Sequence, residues 1–150
     1  SGGFTTLILL LFGMAGIVGS ILFGYFGEKL NSLMMISSVV AMSCCMASLY
    51  FVAADMPLLV ISVLFWGASI MIVGLSMQIR VLNVDPTASD IIMSLYSGII
   101  NLGIGAGALI GGQIIHYAGL ANVGFIGALL GACALAVVVS LLRRIRDVVA

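Results

Sequence analysis

Apolar residues run through this chain in long blocks broken by single charges. No Asp, Glu, Lys or Arg occurs in the stretches Ser1 to Gly27, Leu30 to Ala54, Met56 to Ile79 and Ile91 to Leu142. About 20 apolar residues cross a bilayer's hydrocarbon core as a helix. The last stretch is about twice that length and is interrupted near His116-Tyr117-Ala118-Gly119, so it holds two crossings. The pattern predicts five helices, over 4–26, 32–54, 57–79, 87–115 and 120–142, followed by a tail over 143–150. Backbone groups in lipid must be satisfied within the span, so helix is the only plausible choice for these segments. The fold class expected is an all-α membrane protein with five transmembrane helices, in which short turns make successive helices antiparallel neighbours.

The turns are marked by residues with known end-of-helix chemistry. Glu28-Lys29-Leu30-Asn31 reads as a tight turn after the first helix. Asp55-Met56-Pro57 closes the second, and Pro57 suits the first turn of the third. A longer loop, Arg80 to Pro86, precedes the fourth, where Thr87 and Asp90 have the spacing of a capping box.

Charge orients this ribbon. Lys29, Arg80, Arg143, Arg144 and Arg146 are all the basic side chains. They follow the first, third and fifth helices, while the turns after the second and fourth carry only Asp55 and His116. Basic residues stay cytoplasmic during insertion. The segment is expected to start outside and end inside, with the arginine cluster a topology anchor near anionic lipid. The chain of 150 residues is 63% apolar and 7% charged with a mean hydropathy of +1.38, against roughly 25% charged in a soluble domain. A water-soluble core is therefore excluded. Zero net charge and no basic stripe argue against nucleic acid as a partner; the lipid bilayer is the partner the composition demands. The cysteines, Cys44, Cys45 and Cys133, lie inside predicted helices without the spaced ligands of a zinc site, and read as small apolar packing residues; no metal or cofactor is expected. The N-terminus has no basic leader region or cleavage site, so a signal peptide is not expected. An odd number of crossings that begins abruptly suggests a piece of something longer.

Polar and small residues sit at telling positions. On the fourth helix Gly103, Gly107 and Gly111 recur every four residues, a smooth ridge for close helix packing. Ser94, Ser97 and Asn101 form a polar row on roughly the opposite face. One face can pack while the other looks into a wet cavity; the plainer alternative is that Asn101 bonds a neighbouring helix. Gly16-Ser20-Gly24 makes a second small-residue row on the first helix, and Gly124, Gly127 and Gly131 a third on the fifth. The fifth helix is otherwise aliphatic, as a lipid-facing helix would be. Trp66 falls near mid-depth of the third helix with Ser69 on its face, either a stacking surface for a ligand or plain packing. The run Gly103-Ile104-Gly105-Ala106-Gly107 lacks the preceding strand a dinucleotide site needs. No Asp, Glu, Lys or Arg lies deep in a helix, so no proton carrier is visible, and His116 at a helix end reads as a solvated residue. No nucleophile–base pair, metal cluster or paired carboxylates suggest an enzyme.

These residues resemble a known family. The stretch Gly16 to Gly24 and the turn Gly24-Tyr25-Phe26-Gly27-Glu28-Lys29-Leu30-Asn31 look like the major facilitator transporters. That family's inner-loop signature reads Gly-x-Leu-Ala-Asp-Arg-x-Gly. Gly24, Glu28 and Lys29 hold its first glycine, aspartate and arginine, while Phe26, Gly27 and Asn31 depart from it. More specifically, Phe65-Trp66-Gly67, Ile72 to Gln78 and Tyr96 to Leu109 resemble bacterial sugar-efflux transporters of the drug:proton antiporter group. The resemblance implies that the chain supplies the eighth to twelfth helices of a twelve-helix fold in the bacterial inner membrane, with the N-terminal half missing. It implies alternating access, proton-driven export of small sugars such as arabinose or thiogalactosides, a central cavity lined from Trp66, Ser69, Ser94, Ser97 and Asn101, and an inner gate braced by Gly24, Glu28 and Lys29. Gly16, Ser20, Gly103, Gly107 and Gly111 would pack the helices. A multidrug exporter of the same superfamily, or a membrane subunit that assembles a complex without transport, are the alternatives.

Overall fold

The computed structural model describes residues 2–52 and 54–149, with the side chains of 121 and 145–149 outside that description. The described residues are helical almost throughout. They form α1 (Gly2–Val52), α2 (Met56–Leu82), a 3₁₀ turn at Pro86–Ala88, α3 (Ser89–Ala118), a second 3₁₀ turn at Leu120–Asn122, and α4 (Val123–Val149). These four helices are long and apolar enough to cross a membrane.

The turn expected over Glu28-Lys29-Leu30-Asn31 contracts to one residue. Only Leu30 leaves the helical region, with φ −118° and ψ 18°, because nothing around it forbids helix: no proline follows, and Glu28 and Lys29 are good helix formers. Phe23 fills the space just before the kink. Its ring lies where a Cβ on Gly27 would sit, 2.8 Å away, and both residues are buried. The 51 residues of α1 would measure roughly 76 Å if straight, more than twice a hydrocarbon core of about 30 Å. The kink divides them into a first limb, 2–29, and a second, 31–52, each long enough to span.

The remaining ends differ from the expected ones in informative ways. Asp55 caps α2 by accepting from the Leu58 N–H at 3.2 Å, with Pro57 in the first turn. α2 then continues past Ile79 to Leu82, so Arg80 lies in its last turn, where a cation suits the helix dipole. The capping box of Thr87 and Asp90 does not form. Asp85 accepts from both the Thr87 N–H (2.9 Å) and the Thr87 hydroxyl (2.6 Å), and α3 starts with no side-chain cap. An Asx turn locked by Pro86 brings the carboxylate of Asp85 to Thr87 first. α3 ends at Ala118, three residues beyond the expected Ile115, and is closed by Gly119, whose φ of +82° and ψ of 162° suit glycine alone. α4 runs on through the expected tail, so Arg143 and Arg144 stand exposed on helix; the Arg146 side chain lies outside the described residues.

Glycines set how closely the helices approach. Between the first limb of α1 and α2, a Cβ on Gly67 would sit 2.5 Å from the Phe12 carbonyl oxygen, and one on Gly19 would collide with the Ala68 carbonyl. Between the second limb and α4, a Cβ on Gly124 would lie 2.6 Å from the Met46 carbonyl oxygen, and Gly131 faces Ser43. The buried apolar side chains follow these seams: Ala15, Phe23, Met35 and Val39 on α1, Val63 and Ile72 on α2, Val138 on α4. α3 has no buried residue. The described chain exposes 9998 Å², against roughly 7,200 Å² for a compact monomer of this mass. The excess is oily surface, Leu102, Leu109 and Tyr117 on α3 among it, and calls for lipid or other protein rather than water.

Candidate functional site

The residues singled out from sequence fall into separate groups. Trp66 lies on the α1 side of α2, edge-on to Phe12 with ring centroids 5.7 Å apart. Its indole Nε1 is buried without a partner. Ser69 is buried too, at 5% exposure. Ser69 therefore lies inside the packing of α2 against α1, and Trp66 stands half-buried at that seam. Ser94, Ser97 and Asn101 stand exposed along α3. Ser94 donates its hydroxyl hydrogen to the Asp90 carbonyl at 2.8 Å, which satisfies it within its own helix. The two groups thus stand apart among the described residues, one at the α1–α2 seam and the other along the open face of α3.

What joins α3 to α2 is a residue the sequence reading passed over. The Tyr96 hydroxyl donates to the Gly74 carbonyl oxygen at 3.0 Å. Gly74 lies eight residues before the end of α2 and Tyr96 seven after the start of α3, the pairing of an antiparallel hairpin. Gly74 leaves its carbonyl open to such an approach; a tyrosine hydroxyl within an apolar helix, which needs an acceptor, was the available signal.

The expected packing residues divide in the same way. Gly16 is buried against α2, with Met71 Cγ 3.0 Å and the Gly67 carbonyl oxygen 3.7 Å from where its Cβ would be. Ser20 donates to the Gly16 carbonyl at 3.0 Å. Gly103, Gly107 and Gly111 have nothing within 4 Å of that position. The seam itself relies on Gly19 and Gly67, which lie outside the four-residue rows that drew attention.

At the kink, Gly24, Glu28 and Lys29 are all exposed. The contact that ties this end of the bundle together is instead Arg80, whose Nη2 donates to Ser32 Oγ at 2.8 Å. Arg80 is the lone charge between Met56 and Asn83, which is the signal that it needs a partner. A surface groove of about 270 Å³ also opens between α1 and α2, lined by Ala15, Val18, Leu64, Phe65 and Ala68; its lining is wholly apolar and includes none of the polar residues above. Cys44, Cys45 and Cys133 are unpaired thiols. Among the described residues no three His, Cys, Asp or Glu gather as metal ligands.

No family model matches the chain.

Proposed function

We propose that the chain crosses the membrane five times and forms the C-terminal part of a secondary active transporter that exports small sugars in exchange for protons, as its resemblance to the major facilitator efflux transporters implies. Helix direction supports the crossing number. Phe12 meets Trp66 and, further along both helices, Gly16 meets Met71, so α2 runs parallel to the first limb of α1. Met46 meets Gly124 while Ser43 meets Gly131, so α4 runs antiparallel to the second limb. Successive spans α2, α3 and α4 alternate, which makes α2 and α4 parallel. Both statements hold together only if the two limbs of α1 oppose each other across the kink. Lys29 and Arg80 then share one face with Arg143 and Arg144, the cytoplasmic face by the positive-inside rule.

The observation that carries the transport reading is α3. Its polar row of Ser94, Ser97 and Asn101 and its glycine ridge are both open, the arrangement of a helix that faces a wet path on one side and a second helical bundle on the other. The open ridge also fits an assembly subunit that does not transport. Accumulation of labelled arabinose and of an ethidium-like dye, in cells with and without the full-length protein, tests the cargo. Sugar export predicts lower arabinose and unchanged dye; unchanged arabinose rules it out. Asn101→Leu separates transport from assembly. The transport reading expects export lost with insertion intact, whereas an assembly subunit expects Asn101→Leu to be silent and Gly107→Leu to disrupt the complex.

A further inference from the structure

Buried polar atoms without partners are rare in folded proteins, and each calls for an explanation. Among the described residues they are Asn31 Oδ1, Trp66 Nε1, Ser76 Oγ and Arg80 Nε. Chain position and the Arg80–Ser32 bond link all but the Trp66 nitrogen to one corner. Ser76 and Arg80 are four residues apart on α2 and so stack on one face, about 5–6 Å apart at Cβ. The Arg80 guanidinium is drawn to Ser32 by its 2.8 Å bond, which sets it beside Asn31, the residue just past the kink. Ser76 has no exposed surface at all. Ser20 and Ser43 turn their hydroxyls back onto their own helix; Ser76 does not, and its Oγ is left in the seam.

The chemistry of these atoms selects what joins them. Asn31 Oδ1 can only accept, Arg80 Nε can only donate, and Ser76 Oγ can do either. An anion would satisfy Nε and repel Oδ1; a cation would do the reverse. Water donates and accepts, and an internal water takes two to four polar partners. We propose that one internal water is bound where the kink of α1 meets the last turns of α2, bridging Asn31 Oδ1 and Arg80 Nε with Ser76 Oγ as its third partner. The joint at Leu30 is then held by the Arg80–Ser32 bond and this water together. The site is independent of any transport activity.

Water-selective NOE spectroscopy on the full chain in detergent micelles, with labelled arginine, tests it. The expected result is a cross-peak between a long-lived water and Arg80 Hε in the unaltered protein, lost in Asn31→Leu. In thermal unfolding, Ser76→Ala and Asn31→Leu are expected to be non-additive, the second substitution lowering Tm by less than half of what it costs alone. A missing water cross-peak to Arg80 Hε in the unaltered protein overturns the proposal. So does a direct scalar coupling between Arg80 Nε–H and the Asn31 amide, or strict additivity of the two substitutions.

Discussion

The seam between α1 and α2 and the ridge of α3 are built from the same residue and behave in opposite ways. In the seam, Gly19 and Gly67 let two backbones approach until a single methyl group would strike a carbonyl oxygen. On α3, Gly103, Gly107 and Gly111 form a more regular row and touch nothing within this chain. Glycine spacing of four therefore marks a surface able to pack, without saying whether its partner is present. Packing between apolar helices in lipid gains from close van der Waals contact rather than from removal of water. A glycine's worth is accordingly decided by the atoms opposite it.

Substitution should separate the two regions sharply. Gly67→Leu forces a side chain against the Phe12 backbone and is expected to destabilise the purified chain by about 1–3 kcal/mol or more, seen as a lower unfolding midpoint in detergent. Gly107→Leu is expected to leave that midpoint unchanged. Equal losses from both would break the comparison. A finer contrast lies between α1 and α4. A Cβ on Gly124 meets the Met46 backbone, whereas one on Gly131 meets the Ser43 side chain, which can rotate at the cost of its bond to the Val39 carbonyl. Gly124→Ala should therefore lower the unfolding midpoint clearly more than Gly131→Ala, whose cost is about that of one hydrogen bond in a membrane, roughly 0.6 kcal/mol.

The attachment of α3 is expected to be slighter still. Tyr96→Phe removes the hydroxyl that reaches Gly74, a loss of about 0.6 kcal/mol by the same measure. Spin labels on α2 and α3 should report a broadened distance distribution, while the α1–α2 distances hold. An unchanged α2–α3 distribution would show that the bond does not hold the hairpin. The smallest effect concerns the loop before α3. The Thr87 hydroxyl bonding to Asp85, with help from the Thr87 and Ala88 N–H groups, holds the Asp85 carboxyl below its ordinary range. A depressed carboxyl contributes its stability fully above the unfolded value, near pH 4, and loses it as pH falls through the folded value. Amide exchange at Thr87 and Ala88 should therefore stay protected at pH 5 and above and loosen, beyond the intrinsic acid trend, only in more acidic solution. Loosening already between pH 7 and 5 would contradict that order.

Much of the helical architecture was legible before any coordinates. Charge-free runs longer than a bilayer is thick leave the backbone no alternative to helix, and α2 and α3 lie within a few residues of the spans read from those runs, while α4 starts close to its span and runs on through the expected tail. The errors came at the ends and joints. Glu28 to Asn31 carry the polarity of a turn, yet only Leu30 departs from helix, because polarity does not break a helix unless the backbone is obstructed. Thr87 and Asp90 have the spacing of a cap, yet Asp85 holds the Thr87 hydroxyl, because a local turn forms over fewer residues. Where the polar residues stand was not legible either: Trp66 and Ser69 lie at the α1–α2 seam, while Ser94, Ser97 and Asn101 stand on an open face of α3.

Sequence alone determined that this chain is a set of long apolar helices, since hydropathy and the demand for internally satisfied backbone bonds are properties of each segment taken singly. It also showed which faces carry small or polar groups, since helical periodicity is local. Tertiary structure alone decided which of those faces meet. The choice of Gly19 and Gly67 for the seam, the bond from Tyr96 to Gly74, and the bond from Arg80 to Ser32 beside the kink depend on residues far apart in the chain arriving at one place, and no pattern within a single helix specifies its neighbour.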